Sequence, residues 1–215
     1  MITEKQEQQL NTLKEQVAGR INGKRLTHTY GVEREITALS RLFAPEEEYR
    51  LRASALLHDI TKQLSLEKQL QLCDEFGIIY TSGEKLMPKT FHARTAVEVI
   101  KRDFPGFDDE YILSAVRYHT TGRANMTIGE KLLYLADYIE DTRTFEDCVK
   151  LRDYFYSSLA RTDSERGRQT VLCDTLILSF DMTIRGLIDD GTPVHCDTFE
   201  ARNYLIGERE LEKEQ

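Results

Sequence analysis

Apolar residues recur at intervals of three and four along almost the whole chain, and no apolar/polar alternation lasts longer than four residues. That period gives each segment one buried stripe and leaves no segment suited to a sheet. It predicts helices over 3–18 (Leu10, Leu13, Val17), from Lys24 to Phe43 (Val32, Ile36, Leu39), from Pro45 to Asp59, and from Leu66 to Phe76. Further helices are expected from His92 to about residue 104, from Asp109 to His119, from Thr127 to Asp137, and over 145–160, 168–189 and 201–205. The punctuation agrees: Pro45 at a helix start, Ser65 as an N-cap, Gly77 just past a helix end, and Thr127 with Glu130 as a capping box. Residues 77–90 read as irregular, and 195–199 as a loop. The expected fold class is all-α, a helical bundle of nine or ten helices in a single globular domain. Residues 1–18 are expected to form an N-terminal helix packed on a domain spanning 19–205, with an acidic C-terminal tail over 206–215.

A chain of 215 residues buries roughly 70% of its unfolded surface without help, so a metal here serves function before folding. The four cysteines, Cys73, Cys148, Cys173 and Cys196, are far apart and form no CxxC pair, which argues for reduced thiols. A net charge of −8 argues against nonspecific nucleic-acid binding and does not exclude a small polyphosphate met by local positive charge. No apolar run approaches the roughly 20 residues of a membrane span, and the first residues do not read as a signal peptide. A cytoplasmic protein with neither nucleic-acid nor membrane partners is expected. Neither GxGxxG nor GxxxxGK[ST] occurs.

The chemistry concentrates where apolar helical runs stop. Ala53-Ser54-Ala55-Leu56-Leu57 ends on His58-Asp59, and Leu132-Leu133-Tyr134-Leu135-Ala136 ends on Asp137. His28, His92 and His119 also lie near the ends of core-like helices. Taken singly, His28 reads as a satisfied core histidine and His58-Asp59 as a half-buried histidine beside a solvated acid. Adjacent helical residues diverge too far to face one groove unless a shared partner draws the second inward, and a cation is such a partner. An aspartate on a core helix costs several kcal/mol unless it is paired. Jointly the four histidines and two aspartates suit iron, manganese or zinc with coordination positions left for water. Lys62, three residues after Asp59, Arg143, six after Asp137, and the loop Thr120-Thr121-Gly122-Arg123 supply groups for a phosphate.

The segments Arg25-Leu26-Thr27-His28-Thr29-Tyr30-Gly31-Val32, Ala55-Leu56-Leu57-His58-Asp59-Ile60-Thr61-Lys62, Ala115-Val116-Arg117-Tyr118-His119-Thr120-Thr121-Gly122 and Leu135-Ala136-Asp137-Tyr138-Ile139-Glu140 resemble the HD-domain metal-dependent phosphohydrolases. Within that superfamily they are similar to the YqeK-type symmetrical diadenosine tetraphosphate hydrolases, over roughly residues 15–205. The resemblance implies iron held by His28, His58, Asp59 and Asp137, as one ion, with two ions, manganese or zinc as the alternatives. It also implies a nucleotide site around those ligands, drawn from Arg25, Lys62, His92, His119, Thr120, Arg143, His195, Cys196, Asp197, Thr198 and Phe199. Lys62, His92 and His119 are the expected catalytic groups. The implied reaction is metal-dependent hydrolysis of a dinucleoside tetraphosphate to two nucleoside diphosphates, ADP- or GDP-like, by a monomer or homodimer. An HD nucleotidase, a dNTP phosphohydrolase and a nucleotide-sensing binding module are the competing readings.

Overall fold

The computed structural model describes residues 2–213, and among these there is no strand. Ten α-helices follow in order: α1 Glu4–Ala18, α2 Gly23–Phe43, α3 Glu48–Leu57, α4 Leu66–Phe76, α5 Phe91–Asp103, α6 Glu110–Tyr118, α7 Ile128–Ile139, α8 Glu146–Leu159, α9 Glu165–Asp189 and α10 Cys196–Lys213. The all-α expectation holds. Caps read from the sequence hold as well: Ser65 accepts from Lys68 N, and Thr127 with Glu130 closes a capping box.

Two apolar clusters organise the bundle. Leu10, Leu13 and Val17 of α1 meet Ala53, Leu56 and Leu57 of α3, Ile100 of α5 and Val116 of α6. On the other side, Val32 and Ile36 of α2 pack with Leu51 and Ala55 of α3, Leu132 and Leu135 of α7, Phe155 of α8 and Phe180 of α9. Because α3 contributes to both, every residue from Leu51 to Leu57 is buried, which is why that stretch lacks a polar face. The charged residue within it, Arg52, is held by Glu33 at 2.7 Å and by Glu7 at 2.7 and 3.0 Å. That network ties α1 and α2 to α3.

Three departures from the sequence reading stand out. Pro45–Glu47 is a separate 3-10 turn, so α3 begins only at Glu48, and it ends at Leu57, before His58-Asp59. The 77–90 stretch contains two further 3-10 turns, Glu84–Leu86 and Pro88–Thr90. Residues 196–199, expected as loop, instead begin α10, which continues through Lys213; Glu214 and Gln215 of the expected tail lie outside the described residues. Ala201 and Leu205, four apart, are buried in the core with α9, while Lys131 to Glu208 (2.9 Å) and Arg209 to Asp174 (3.2 Å) draw the acidic segment against α7 and α9.

Gly122, in the turn after α6, has φ +63° and packs so closely that a Cβ would lie 2.6 Å from Phe180 and 2.9 Å from Ala201. Both the backbone conformation and the space require glycine. Gly122→Ala is expected to lower unfolding stability by about 2–4 kcal/mol, combining left-handed strain with overpacking. Urea denaturation checks this, and a loss below about 0.5 kcal/mol would contradict the packing.

Candidate metal and phosphate site

Five helix ends converge on one point. His58 and Asp59 follow the C-terminus of α3, His119 follows α6, and Asp137 and Glu140 lie at the end of α7. His28 comes from the first turns of α2 and His92 from the first turn of α5. The difficulty of placing adjacent residues in one groove is resolved by the end of α3: Ile60 N bonds Leu57 O at 3.2 Å and Lys62 N bonds Asp59 O at 2.9 Å, and these successive turns bring Asp59 inward beside His58.

Hydrogen bonds fix which imidazole atoms face the centre. Backbone carbonyls only accept, so the Nδ1 atoms that lie 2.7 Å from Ala55 O in His58 and 2.7 Å from Val116 O in His119 carry the protons. His28 Nδ1 donates to the Glu140 carboxylate at 3.0 Å. The Nε2 atoms of all three rings are thereby directed inward, the arrangement that orients metal-binding histidines. His28 Nε2 lies 2.9 Å from Asp137 Oδ1 and 3.7 Å from Asp59 Oδ2, and His58 Nε2 lies 3.3 Å from Asp59 Oδ2 and 3.8 Å from Asp137 Oδ1. Yet His28 Nε2, His58 Nε2 and Asp59 Oδ1 are buried without an aligned hydrogen-bond partner. Buried polar atoms seldom go unsatisfied. Three of them gathered among carboxylates fit a cation: His28, His58 and Asp137 form one candidate donor set, and His58, Asp59 and His119 another. Donors of this mixed nitrogen and oxygen type suit a divalent transition metal.

Asp59 has two faces. Its Oδ2 turns toward His28, His58 and the Arg25 guanidinium, while Oδ1 lies 3.1 Å from His92 Nε2 and 3.8 Å from His119 Nε2. The two Nε2 atoms of His92 and His119 are 2.9 Å apart. Since His119 carries its proton on Nδ1, His92 donates to it from Nε2, and the remaining His92 lone pair, on Nδ1, receives Lys62 Nζ at 3.2 Å. The result is a directed chain from Lys62 through His92 to His119. The Thr120 hydroxyl sits 3.1 Å from His119 Nε2. Arg143 Nη2 pairs with Asp137 Oδ1 at 2.6 Å.

The electrostatics follow from burial and neighbours. Burial opposes ionisation of Asp59, but His58, His119 and His92 outweigh it and hold the carboxyl well below its usual range. Burial likewise opposes Asp137, and Arg143 and His28 reverse the balance. His28 would lose its charge to burial, but the carboxylates of Asp137 and Glu140 lift its pKa to about 9. That is the response of a base to surplus negative charge, and a cation at the same point answers the same surplus. Burial and the Lys62 ammonium push His92 down to about 3, leaving it neutral at physiological pH. Burial also lowers Lys62, against the pull of Asp59 and Asp137.

The residues singled out in the sequence do not all meet at this centre. His28, His58, Asp59, His92, His119 and Asp137 form it, with Arg25, Lys62, Thr120 and Arg143 at its rim. His195 and Thr198 line a neighbouring cavity of about 420 Å³ that reaches Thr120 and Thr121. Asp197 and the exposed Cys196 engage His195, not the metal donors, and Phe199 is exposed on α10 outside that cavity. Glu140 was the missing piece: fully buried, it accepts from His28 and from Thr142 N and Oγ1, each of the latter at 2.7 Å. Its signal was Gly31, a helix-interior glycine that costs about 1 kcal/mol relative to alanine and so asks for a reason. A Cβ at Gly31 would lie 2.1 Å from the Glu140 carboxylate.

Comparison with known proteins places these residues in context. The HD domain family matches residues 25–142. The chain is 32% identical to the symmetrical bis(5'-nucleosyl)-tetraphosphatase of Bacillus subtilis, covering 85% of this chain and 89% of the relative. The symmetrical bis(5'-nucleosyl)-tetraphosphatase of Halalkalibacterium halodurans is 31% identical, over 86% and 90%. A crystal structure from Clostridium acetobutylicum, described as a predicted HD superfamily hydrolase involved in NAD metabolism, superposes with a TM-score of 0.78 at 33% identity, over 92% of this chain and 97% of that one.

Gly31→Ala is expected to displace the Glu140 carboxylate and release His28, lowering metal affinity about 10- to 100-fold with little change in helix content. Metal titration beside far-ultraviolet circular dichroism checks it. Unchanged affinity would show that Glu140 does not orient His28.

Proposed function

The chain belongs to the HD-domain family, whose fold holds a divalent metal, and on that premise we propose that it hydrolyses dinucleoside tetraphosphates symmetrically, diadenosine tetraphosphate to two ADP, with iron as the metal. The observation that carries the reading is the convergence of unpartnered buried donor atoms from His28, His58 and Asp59 next to Asp137, ringed by Arg25, Lys62 and Arg143. Similarity along most of both chains to symmetrical tetraphosphatases supports the choice of substrate.

His28, His58, Asp59 and Asp137 would hold the cation. When bound, it supplies Lewis acidity and lowers the pKa of water toward neutrality. In the reaction a water oxygen forms a bond to a phosphorus beside the central bridge, the bond from that phosphorus to the bridging oxygen breaks, and the bridging oxygen leaves on the second nucleoside diphosphate. Arg25 and Arg143 each have one carboxylate partner in the site and further guanidinium N–H groups for phosphate oxygens. Positive charge held in place against the developing charge is the largest contribution available to such a transfer. Lys62, its pKa lowered by burial, stands at the head of the chain through His92 to His119 and can supply a proton to the departing diphosphate. That leaving group is already weakly basic, so the proton belongs at the low end of general-acid catalysis, about 10²-fold.

Product analysis by ion-exchange chromatography tests the proposal. Diadenosine tetraphosphate should yield only ADP; ATP plus AMP, or turnover confined to mononucleotides, would overturn it. Asp59→Ala is expected to abolish turnover through loss of metal. His119→Ala is expected to keep one ion per chain and lose activity by about 10²-fold or more. Stoichiometric metal loss from the His119 variant would instead make that ring a ligand.

A further inference from the structure

The four imidazoles stand in a row. Ring centroids run His28 to His58 at 5.5 Å, His58 to His119 at 4.9 Å, and His119 to His92 at 4.9 Å. A cavity opens at each end. Beside Thr120, at the His119 and His92 end, lies the one of about 420 Å³ lined by Leu187, His195 and Thr198. At the His28 end is another of about 470 Å³, between the start of α2 and the start of α8, lined by Lys24, Arg25, His28, Arg143, Thr144 and Phe145. Both fall within the size range of small-ligand pockets. A substrate cut at its centre into two equal halves needs two such spaces, one on either side of the reacting phosphorus.

Phe145 is 70% exposed, more than any other exposed aromatic residue, and no ring or guanidinium stacks on it among the described residues. An exposed apolar side chain alone needs no explanation. This one shares a cavity with a metal-site histidine and with Arg25 and Arg143, and the exposed Lys24 in the same cavity has no carboxylate partner among the described residues. An aromatic face beside cations is the combination that takes a nucleobase and its phosphates.

We propose that the cavity at the α2–α8 mouth is the subsite for the second nucleoside diphosphate half of the substrate, with Phe145 stacking on its base and Lys24 meeting its phosphates. This deepens the proposed tetraphosphate hydrolysis and rests on it. Phe145 is a positioning and specificity residue, remote from the hydrolysed bond. Its contribution belongs to binding of the second base, so its removal affects KM for a substrate with two bases. Base stacking on an aromatic side chain corresponds to about 5- to 150-fold in affinity.

Steady-state kinetics on the metal-loaded enzyme tests this. Phe145→Ala should raise KM for diadenosine tetraphosphate about tenfold or more with kcat within threefold, while Phe145→Trp should keep KM near the wild-type value. The chain has no tryptophan, so the Phe145→Trp protein also provides a single emission at the subsite, which ADP should quench saturably and tripolyphosphate, lacking a base, should not. KM unchanged within twofold in Phe145→Ala, or no quenching by ADP, overturns the subsite. If the wild type leaves diadenosine tetraphosphate intact, the reaction assignment fails, and ADP quenching still decides separately whether a base sits on Phe145.

Discussion

Asp59, fully buried, and Asp137, half-buried, bring carboxylates to the same point, and everything around that point reads as the means of keeping them ionised. Unpaired charge at such depth costs several kcal/mol. The protein answers with one guanidinium each, Arg25 on Asp59 and Arg143 on Asp137, and with imidazoles whose outward nitrogens are fixed by Ala55 O, Val116 O and Glu140. What remains are buried atoms, His28 Nε2, His58 Nε2 and Asp59 Oδ1, without an aligned hydrogen-bond partner. Helix packing makes the convergence possible: α3, buried between two apolar clusters, can stop at Leu57 in the interior, where most helices would expose their last turn.

The same constraint reconciles an acidic protein with an anionic substrate. The net charge of −8 is spread over exposed segments such as Asp108-Asp109-Glu110 and Asp189-Asp190. Lys24, Arg25, Lys62 and Arg143 cluster around the histidine row instead. Local field, and not the sum over the chain, decides what approaches the metal site.

Much of this was legible in the sequence because the relevant signals are local. Periodicity gave the helices, and apolar runs that stop on His58-Asp59 and Asp137 marked where they end. Glu140 was harder to read, since its role depends on an approach to His28 across 112 positions, visible in advance only as the unexplained glycine at 31. The segment from His195 to Phe199 looked like a loop because histidine, cysteine, aspartate and threonine favour turns; Ala201 and Leu205, packing with α9, override that preference and start α10 at Cys196. Phe145 has no sequence signature at all, for its meaning comes from the cavity it shares with His28 and Arg25.

Titration of manganese(II) into metal-depleted protein, followed by thermal unfolding, tests whether the cluster of His28, His58, Asp59 and Asp137 is built around a divalent cation. One equivalent should bind saturably, and at a hundredfold excess over Kd the unfolding midpoint should rise by about 5–10 °C, with the rise lost in His58→Ala. An unchanged midpoint, or an equal rise in the His58→Ala protein, would contradict the account.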